Sequence, residues 1–406
     1  MWLYLILFFI PVGGYFATLK GNNRNVLFLG GYLTLLALFV GLSDMLGGYD
    51  RYIYGEVFDS IANMTTHREN YALNGAFYYF PGEAGYTLIN IIFSFFTENR
   101  YIFIFFYTLL IYLLLFISLK DYAKNYHLAL ILFMGLWFYF SFTYLRQVLG
   151  ATVAWLSIRY IVKRDFIKFL LVFLVAWSIH KSAIIFFPIY FIPVKKFSKQ
   201  FIIRFMLLVL IVGISPIPNA LFSAYGDVSV VERAADYNAS GGIRIAYLLE
   251  SGFFLILLLS QYRYLTARKT DIVMFNIALL FCAILLFFIQ SENGGRLSWY
   301  YMIGLIVTLT NLLTIGRNRE IVSFMIIALC FFLYVRIYND WQVFLNLYPY
   351  KTFLTNGFRK GDYSYDNYEY DHSYDKNKLY RVPFRCEINI VPKDNGIDNK
   401  QKHILE

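Results

Sequence analysis

Five groups of polar and ionisable residues stand at the ends of long apolar segments. They are Asp50-Arg51, Glu83, Arg146-Gln147, His180-Lys181 and Arg296. A charge at hydrocarbon depth costs about 2.5–3.5 kcal/mol on insertion scales, so such residues are usually functional. Guanidinium groups offer paired donors that suit phosphate or pyrophosphate, and a carboxylate or imidazole can take a proton from an attacking hydroxyl. If these groups share one side of a bilayer, the pattern predicts one site for an anionic ligand.

Aromatic residues follow the last of these groups. Trp299, Tyr300 and Tyr301 follow Arg296 after two intervening residues, in the segment Arg-Leu-Ser-Trp-Tyr-Tyr. Aromatic faces of this kind can stack on sugar rings. Each candidate also has an ordinary structural explanation: Asp50 as a helix cap, Arg51 as an interfacial residue, Glu83 at a helix dipole, Arg146 and Lys181 as snorkelling cations, and His180 as a packing residue.

The composition predicts a polytopic α-helical membrane protein. Of the 406 residues, 59% are hydrophobic and 15% are charged, whereas soluble domains carry about 25% charged residues. The aromatic content of 21%, with 36 Tyr and 42 Phe, suits membrane interfaces and stacking surfaces. The apolar segments are continuous rather than alternating, which argues against a β-barrel.

About a dozen apolar segments are candidates for membrane spans. They lie near 2–19, 26–43, 101–119, 128–145, 147–162, 166–180, 182–194, 200–215, 243–262, 272–290, 296–315 and 320–337. The segments 166–180 and 182–194 meet at His180-Lys181, where we expect a helical hairpin with a sunken tip. Residues 84–97 are too short to span comfortably and are predicted to form an interfacial or re-entrant helix.

The net charge of +10 is distributed as short basic clusters between apolar segments. This pattern is typical of cytoplasmic loops under the positive-inside rule and argues against nucleic-acid binding. The first basic residue, Lys20, follows the first apolar segment, so the N-terminus is predicted to lie outside. The same rule makes 44–100 and 216–242 large outer loops and places the five groups on the outer face.

Residues 1–350 are predicted to form the membrane domain and residues 351–406 a polar tail. The tail is rich in Tyr, Asp and Lys, a composition that cannot build a core by itself. Residues 379–391 could add one or two strands. An even number of spans places this tail outside as well.

Other chemistry receives little support from the sequence. The carboxylate of Glu250 lies inside an apolar segment and is either a transport group or a partner of Arg244. Metal-binding motifs and phosphate-binding glycine loops are absent from the sequence, and the three cysteines form no pattern. We therefore expect no metal, nucleotide or other cofactor.

Several short motifs together resemble a known family. They are Gly48-Tyr-Asp-Arg-Tyr52, Glu83, Leu145-Arg-Gln-Val-Leu-Gly-Ala151, Ser178-Ile-His-Lys-Ser-Ala183, Gly295-Arg-Leu-Ser-Trp-Tyr300 and Tyr348-Pro-Tyr350. In this order and spacing the chain resembles the EpsG family of Wzy-like polysaccharide polymerases. The resemblance covers about residues 1–350.

The resemblance implies a fold and an activity. The fold would be a GT-C-like bundle of about 12 transmembrane helices in the bacterial cytoplasmic membrane. The activity would join undecaprenyl-pyrophosphate-linked repeat units, as donor and acceptor, into an O-antigen, capsule or exopolysaccharide on the outer face. The reaction needs neither nucleotide nor metal, because the sugar pyrophosphate is already activated, and a chain-length regulator protein is a possible partner.

The resemblance also implies a role for each candidate residue. Arg146 and Arg296 would bind the pyrophosphate and stabilise it as leaving group, with Gln147, Arg51 and Lys181 as further substrate contacts and Trp299 and Tyr300 beside the glycan. The acceptor base would be His180, Glu83 or Asp50.

Two other classes of function stay open. A flippase or transporter for the lipid-linked glycan would use Glu250 and the cationic cavity, although no two-fold hydropathy repeat of the transporter kind is evident. Another GT-C-type outer-face glycosyltransferase or a ligase would use the same donor lipid and the same kind of site.

Overall fold

The computed structural model describes residues 1–19, 23–44, 49–218, 220, 242–291, 294–314, 319–341, 347–348 and 350–354. These residues are mostly helical and form no strand. The α-helices are α1 (Trp2–Ala17), α2 (Val26–Gly41), α3 (Tyr49–Thr66), α4 (Ala84–Ser94), α5 (Arg100–Tyr122), α6 (Tyr126–Leu136), α7 (Phe140–Thr143), α8 (Leu145–Leu156), α9 (Ile158–Lys163), α10 (Phe166–Ile179), α11 (Lys199–Ile214), α12 (Ile245–Ser260), α13 (Lys269–Phe287), α14 (Gly294–Ser298), α15 (Met302–Leu313) and α16 (Arg319–Trp341). Four 3₁₀ helices cover Ala76–Tyr78, Lys181–Phe191, Tyr262–Tyr264 and Trp299–Tyr301.

Three of the described helices are long and apolar enough to cross a membrane, namely α5, α13 and α16. Shorter apolar helices of 10–17 residues include α1, α2, α4, α6, α10 and α12. The all-helical architecture predicted from the sequence is therefore confirmed for the described residues. The predicted number of about 12 spans is not confirmed.

Many helices begin at a side chain that can cap them. Asn25, Asn99, Asn125, Asp165 and Ser198 each accept a hydrogen bond from a backbone N–H in the first turn of the following helix. Such caps satisfy donors that have no partner inside the helix. These residues interrupt the apolar pattern, which is why the predicted starts of most helices lie within a few residues of the observed ones.

Four predicted helices are not continuous. The segment 128–145 divides into α6 and α7, 147–162 divides into α8 and α9, 182–194 is largely a 3₁₀ helix that contains Pro188, and 296–315 is interrupted by a 3₁₀ turn. Hydropathy cannot detect such breaks, because most residues near them stay apolar and buried; Trp137 and Tyr300, for example, are almost fully buried. Irregular backbone at membrane depth is tolerated where protein surrounds it.

The segment 44–100, predicted as an outer loop, contains two helices in the structure: α4 lies within the segment 84–97 predicted to be helical, and α3 was not predicted. These two helices pack on each other and on the bundle through α5 and α10. Arg100 at the start of α5 forms a buried ion pair with Asp59 and a second contact with Glu56, 3.3 Å away. Most of the other predicted loop, 216–242, lies outside the described residues.

The core is a set of closely packed helix pairs. Helix α13 packs against α15, α12 and α11, α5 packs against α2 and α8, and α6 packs against α16 and α1. Helix α8 lies against both α5 and α10. Helix α8 therefore lies between other helices of the bundle and can bring its first residues close to several of them.

Residues 350–354 return to the end of α2. The Tyr350 ring stacks on Phe39 with centroids 4.2 Å apart, and Phe353 N–H donates to the Leu42 carbonyl at 3.1 Å. The start of the polar tail is therefore attached to the bundle beside α3. Residues 355–406, with the strands predicted at 379–391, lie outside the described residues.

Candidate functional site

The guanidinium of Arg146 is at the centre of the site. Arg146 is the second residue of α8, and its Nη1 donates to Glu83 Oε2 at the start of α4. Its guanidinium carbon lies 3.5 Å from the centre of the Phe80 ring, and the rings of Tyr54 and Tyr86 are 5.2 and 5.5 Å away. Cation–π contacts of this kind hold the guanidinium in a fixed orientation.

The second carboxylate oxygen of Glu83 reaches a different helix end. Glu83 Oε1 accepts the backbone N–H of Lys181 at 3.0 Å and lies 3.9 Å from His180 Nδ1. The Glu83 side chain is 8% exposed and that of Arg146 is 17% exposed. Glu83 therefore connects α4, α8 and the 3₁₀ helix that follows α10, and it brings three of the predicted groups together.

His180 belongs to a chain of hydrogen bonds. Its Nδ1 lies 2.7 Å from Ser182 Oγ and accepts the Ser182 backbone N–H at 3.2 Å. Ser182 Oγ lies 3.0 Å from the Tyr300 hydroxyl. The Tyr300 carbonyl in turn accepts Trp155 Nε1–H at 2.9 Å, which attaches this chain to α8.

Arg296 is held in place by Gln147. Gln147 Nε2–H donates to the Arg296 carbonyl at 2.7 Å, and Arg296 Nε–H donates to Gln147 Oε1 at 3.3 Å. The Arg296 guanidinium carbon also lies 4.1 Å from the centre of the Tyr144 ring. Among the described residues, the two terminal amino groups of Arg296 make no hydrogen bond.

The Asp50 carboxylate lies under the influence of both arginines. Burial raises the pKa of the Asp50 carboxyl above its ordinary value, while Arg296 and Arg146 act in the opposite direction. Asp50 forms neither a hydrogen bond nor an ion pair with any residue that the structure describes.

Glycines allow the elements of the site to approach one another. A Cβ atom on Gly150 would lie 3.2 Å from His180 Cβ, and one on Gly85 would lie 3.0 Å from the carbonyl carbon of Ser178. Gly82 has a positive φ of 80° and touches the Lys181 side chain. Larger side chains at these positions would separate α4 and α8 from α10.

A comparison with protein families identifies the chain. Residues 3–352 match the model of the EpsG family. The protein belongs to the EpsG family. No curated protein and no solved structure matches the chain. Family membership and the apolar helices together indicate a multi-pass membrane protein with a polysaccharide-polymerase type of role.

Arg51 lies apart from the site of this EpsG-family protein. The side chain is 1% exposed, and its guanidinium donates to the backbone carbonyls of Val40 at 3.0 Å and Ser43 at 3.1 Å. Val40 is in the last turn of α2 and Ser43 lies just beyond its end, where backbone carbonyls lack the partners that a further helical turn would supply. We therefore assign Arg51 to helix capping and leave it out of the substrate contacts.

Two aromatic candidates of the EpsG-family chain are packed rather than exposed. Trp299 is 5% exposed and lies against Phe140 and Tyr144, with ring centroids 4.6 and 5.3 Å away. Tyr300 is fully buried and directs its hydroxyl to Ser182. Neither ring offers a free face to a sugar here; the aromatic rings in contact with the two arginines are Tyr144 at Arg296 and Phe80, Tyr54 and Tyr86 at Arg146.

The intramembrane carboxylate Glu250 does not form the expected pair with Arg244 within the described residues. A metal-binding group of three or more His, Cys, Asp or Glu side chains is likewise not found among them.

Sequence reasoning missed several residues of the site. Ser182, Tyr144, Tyr54 and Phe80 carry no charge, and apolar or hydroxyl residues are common in these segments. Ser182 had one detectable signal, since it follows the His-Lys pair by one residue at a helix start, where serine side chains often bond to nearby polar groups.

Proposed function

We propose that this EpsG-family protein joins undecaprenyl-pyrophosphate-linked oligosaccharide repeat units into a polysaccharide at the outer face of the bacterial cytoplasmic membrane. The observation that carries the proposal is the Asp50 carboxyl, which is under the electrostatic influence of both Arg296 and Arg146 and has no hydrogen-bond partner among the described residues. Transfer from a sugar pyrophosphate to a hydroxyl requires a base together with cations of this kind. The substrate and the outer location come from the family resemblance and from the distribution of loop charge.

The reaction assigns a role to each group. The acceptor hydroxyl oxygen forms a bond to the anomeric carbon of the donor, and the bond between that carbon and the phosphate oxygen breaks. The pyrophosphate leaves with the bonding electron pair, and Asp50 takes the hydroxyl proton. Arg296 uses its terminal amino groups on the pyrophosphate, and Arg146 adds charge from the other side, because cations aimed at developing negative charge stabilise the transition state.

Among the three candidate bases, Asp50 is favoured over Glu83. Glu83 accepts hydrogen bonds from Arg146 and from the Lys181 backbone, so each of its carboxylate oxygens already has a partner in the protein. Asp50 has no such donors within the described residues, and burial makes its carboxylate more basic than usual.

An in vitro reaction tests the proposal. Purified protein in nanodiscs receives lipid-pyrophosphate-linked repeat units without nucleotide, and products are separated as a ladder on a gel. Arg296→Gln is expected to lower the rate at least 100-fold, within the range of 10²–10³ seen when one transition-state donor is removed. The matched control is Arg336→Gln, because Arg336 is 57% exposed and pairs with Asp340 in the next turn of α16.

Two results would contradict the proposal. A full ladder from Arg296→Gln would remove this arginine from the pyrophosphate site. Absence of a ladder from the wild-type protein, together with movement of the lipid-linked unit across liposome bilayers, would identify a transporter instead.

A further inference from the structure

We infer that His180 acts as a hydrogen-bond donor through Nε2–H and that Ser182 and Tyr300 hold it in the tautomer this requires. The inference rests on the proposed function for its chemical meaning, but its geometric part concerns only these three residues. It makes Ser182 and Tyr300 positioning residues.

The protonation of His180 follows from the one donor whose direction is fixed. A backbone N–H can only donate, and the Ser182 N–H points to His180 Nδ1 at 3.2 Å. Nδ1 must therefore be an acceptor and carry no proton. The neutral imidazole has one N–H, so that proton is on Nε2.

The same reasoning fixes the direction of the remaining bonds. Ser182 Oγ lies 2.7 Å from Nδ1, and since Nδ1 accepts, the serine hydroxyl must donate its only proton to it. Ser182 Oγ can then only accept at its other contact. The Tyr300 hydroxyl, 3.0 Å away, must be the donor, and the chain runs from Tyr300 through Ser182 to His180.

The chain lies among the charged groups of the site. His180 Nδ1 is 3.9 Å from Glu83 Oε1, and the Tyr300 hydroxyl is under the electrostatic influence of Glu83, Arg296 and Arg146. Tyr300 is fully buried and the His180 side chain is only 12% exposed. A network so enclosed keeps one arrangement, because each rearrangement would leave a buried donor or acceptor without a partner.

The tautomer determines what His180 can do in the transfer. A neutral imidazole with its proton on Nε2 cannot take a proton at that atom, so it cannot be the acceptor base there. It can donate a hydrogen bond to the pyrophosphate oxygen that gains charge as the bond to the sugar breaks. The proton stays on Nε2, while the acceptor proton goes to Asp50, so the two roles are compatible.

A pair of substitutions separates a donor from a base. His180→Gln retains an N–H donor near the position of Nε2, whereas His180→Phe has none. For a donor, we expect His180→Phe to lower the polymerisation rate about 10- to 100-fold, the usual range for a hydrogen bond to a charged group, and His180→Gln to lower it much less. If His180 were the base, both variants would be equally inactive, and this result would overturn the inference.

A measurement without substrate tests the tautomer directly. Protein labelled with ¹⁵N-histidine in lipid bilayers is examined by solid-state NMR, and the His180 signals are identified by subtracting the spectrum of His180→Gln. We expect an unprotonated Nδ1 and a protonated Nε2. A protonated Nδ1 overturns the inference. Because no glycan is needed, this failure is distinguishable from a failure of the wild-type protein to polymerise.

The positioning role of Ser182 and Tyr300 can be tested by substituting each residue. Ser182→Ala and Tyr300→Phe are expected to increase the population of the other tautomer in the NMR spectrum and to lower kcat with little change in KM. Ser260→Ala is the control, since the Ser260 hydroxyl donates to a carbonyl in the preceding turn of its own helix. Unchanged tautomer populations in both variants would contradict the positioning role.

Discussion

The substitution Asp50→Asn separates activity from stability. Asparagine has nearly the shape of aspartate, and no hydrogen bond or ion pair of Asp50 to the described residues is lost. The fold should therefore tolerate the change. What the variant lacks is a group that can take the acceptor proton under the influence of Arg296 and Arg146.

The expected loss of activity is large. General-base catalysis contributes about 10²- to 10⁴-fold, which corresponds to about 3–5 kcal/mol at 1.36 kcal/mol per decade. The free energy of unfolding, by contrast, should not fall in this variant. The pKa of Asp50 is raised in the folded protein, so the stabilising neutral form is fully present below the unfolded-state pKa and is lost as the pH rises through the folded pKa. Asparagine removes this loss, and Asp50→Asn should be at least as stable as the wild type at neutral pH.

The assay combines ladder formation with thermal unfolding in the same nanodiscs. The control is Glu56→Gln on the same helix, because Glu56 contacts Arg100 rather than the site. The pH–rate profile of the wild type should show an acidic limb above the ordinary aspartate pKa of about 3.9. Removal of a general base should slow the reaction at least ~100-fold. An Asp50→Asn variant whose polymerisation rate stays within about threefold of the wild-type rate would therefore refute the role of Asp50 as the base.

Three further substitutions test the supporting structure. Glu83→Gln leaves the Arg146 cation without its buried counter-ion, so the free energy of unfolding should fall by about 3 kcal/mol, the lower end of the range for breaking buried pairs, as measured by thermal unfolding in detergent. Arg51→Leu removes the donor to backbone carbonyls at the end of α2 and should cost about 1–3 kcal/mol for an unsatisfied group, while the rate per folded molecule stays unchanged. Gln147→Leu removes both hydrogen bonds to Arg296; the polymerisation rate should fall about 10-fold, the worth of one ordinary hydrogen bond, with little change in the unfolding midpoint.

The sequence predicted the ends of the regular helices well. For α10 the predicted segment 166–180 compares with Phe166–Ile179, because Asp165 caps its start and a polar pair follows its end. The helix α3 was missed for a physical reason: Asp50, Glu56 and Asp59 make its sequence polar, so it has no apolar run. Its stability comes from tertiary contacts such as the buried pair of Asp59 with Arg100, which local patterning cannot reveal.

The candidate site could be predicted in part. The cost of burying charge singled out Glu83, Arg146 and His180, and the structure brings these three together. The same argument also selected Arg51, whose guanidinium caps a helix. In the site and in the helix cap alike, oxygen acceptors surround a buried arginine. Only the identity of these acceptors distinguishes a site arginine from a capping arginine, and the acceptors are known only from the folded structure.

The breaks in the helices explain why these charges lie where they do. Arg146, His180 and Arg296 each belong to a segment where a predicted helix is interrupted or begins anew. A continuous helix would satisfy its own backbone groups, whereas each break leaves N–H groups without helical partners. One of these, the Lys181 N–H, already binds a carboxylate, that of Glu83. Backbone donors at helix starts favour anions for the same reason that the arginines do. We therefore interpret the interruptions as part of the anion site, where the lost helical hydrogen bonds are replaced by bonds to carboxylate and, in the proposed reaction, to pyrophosphate.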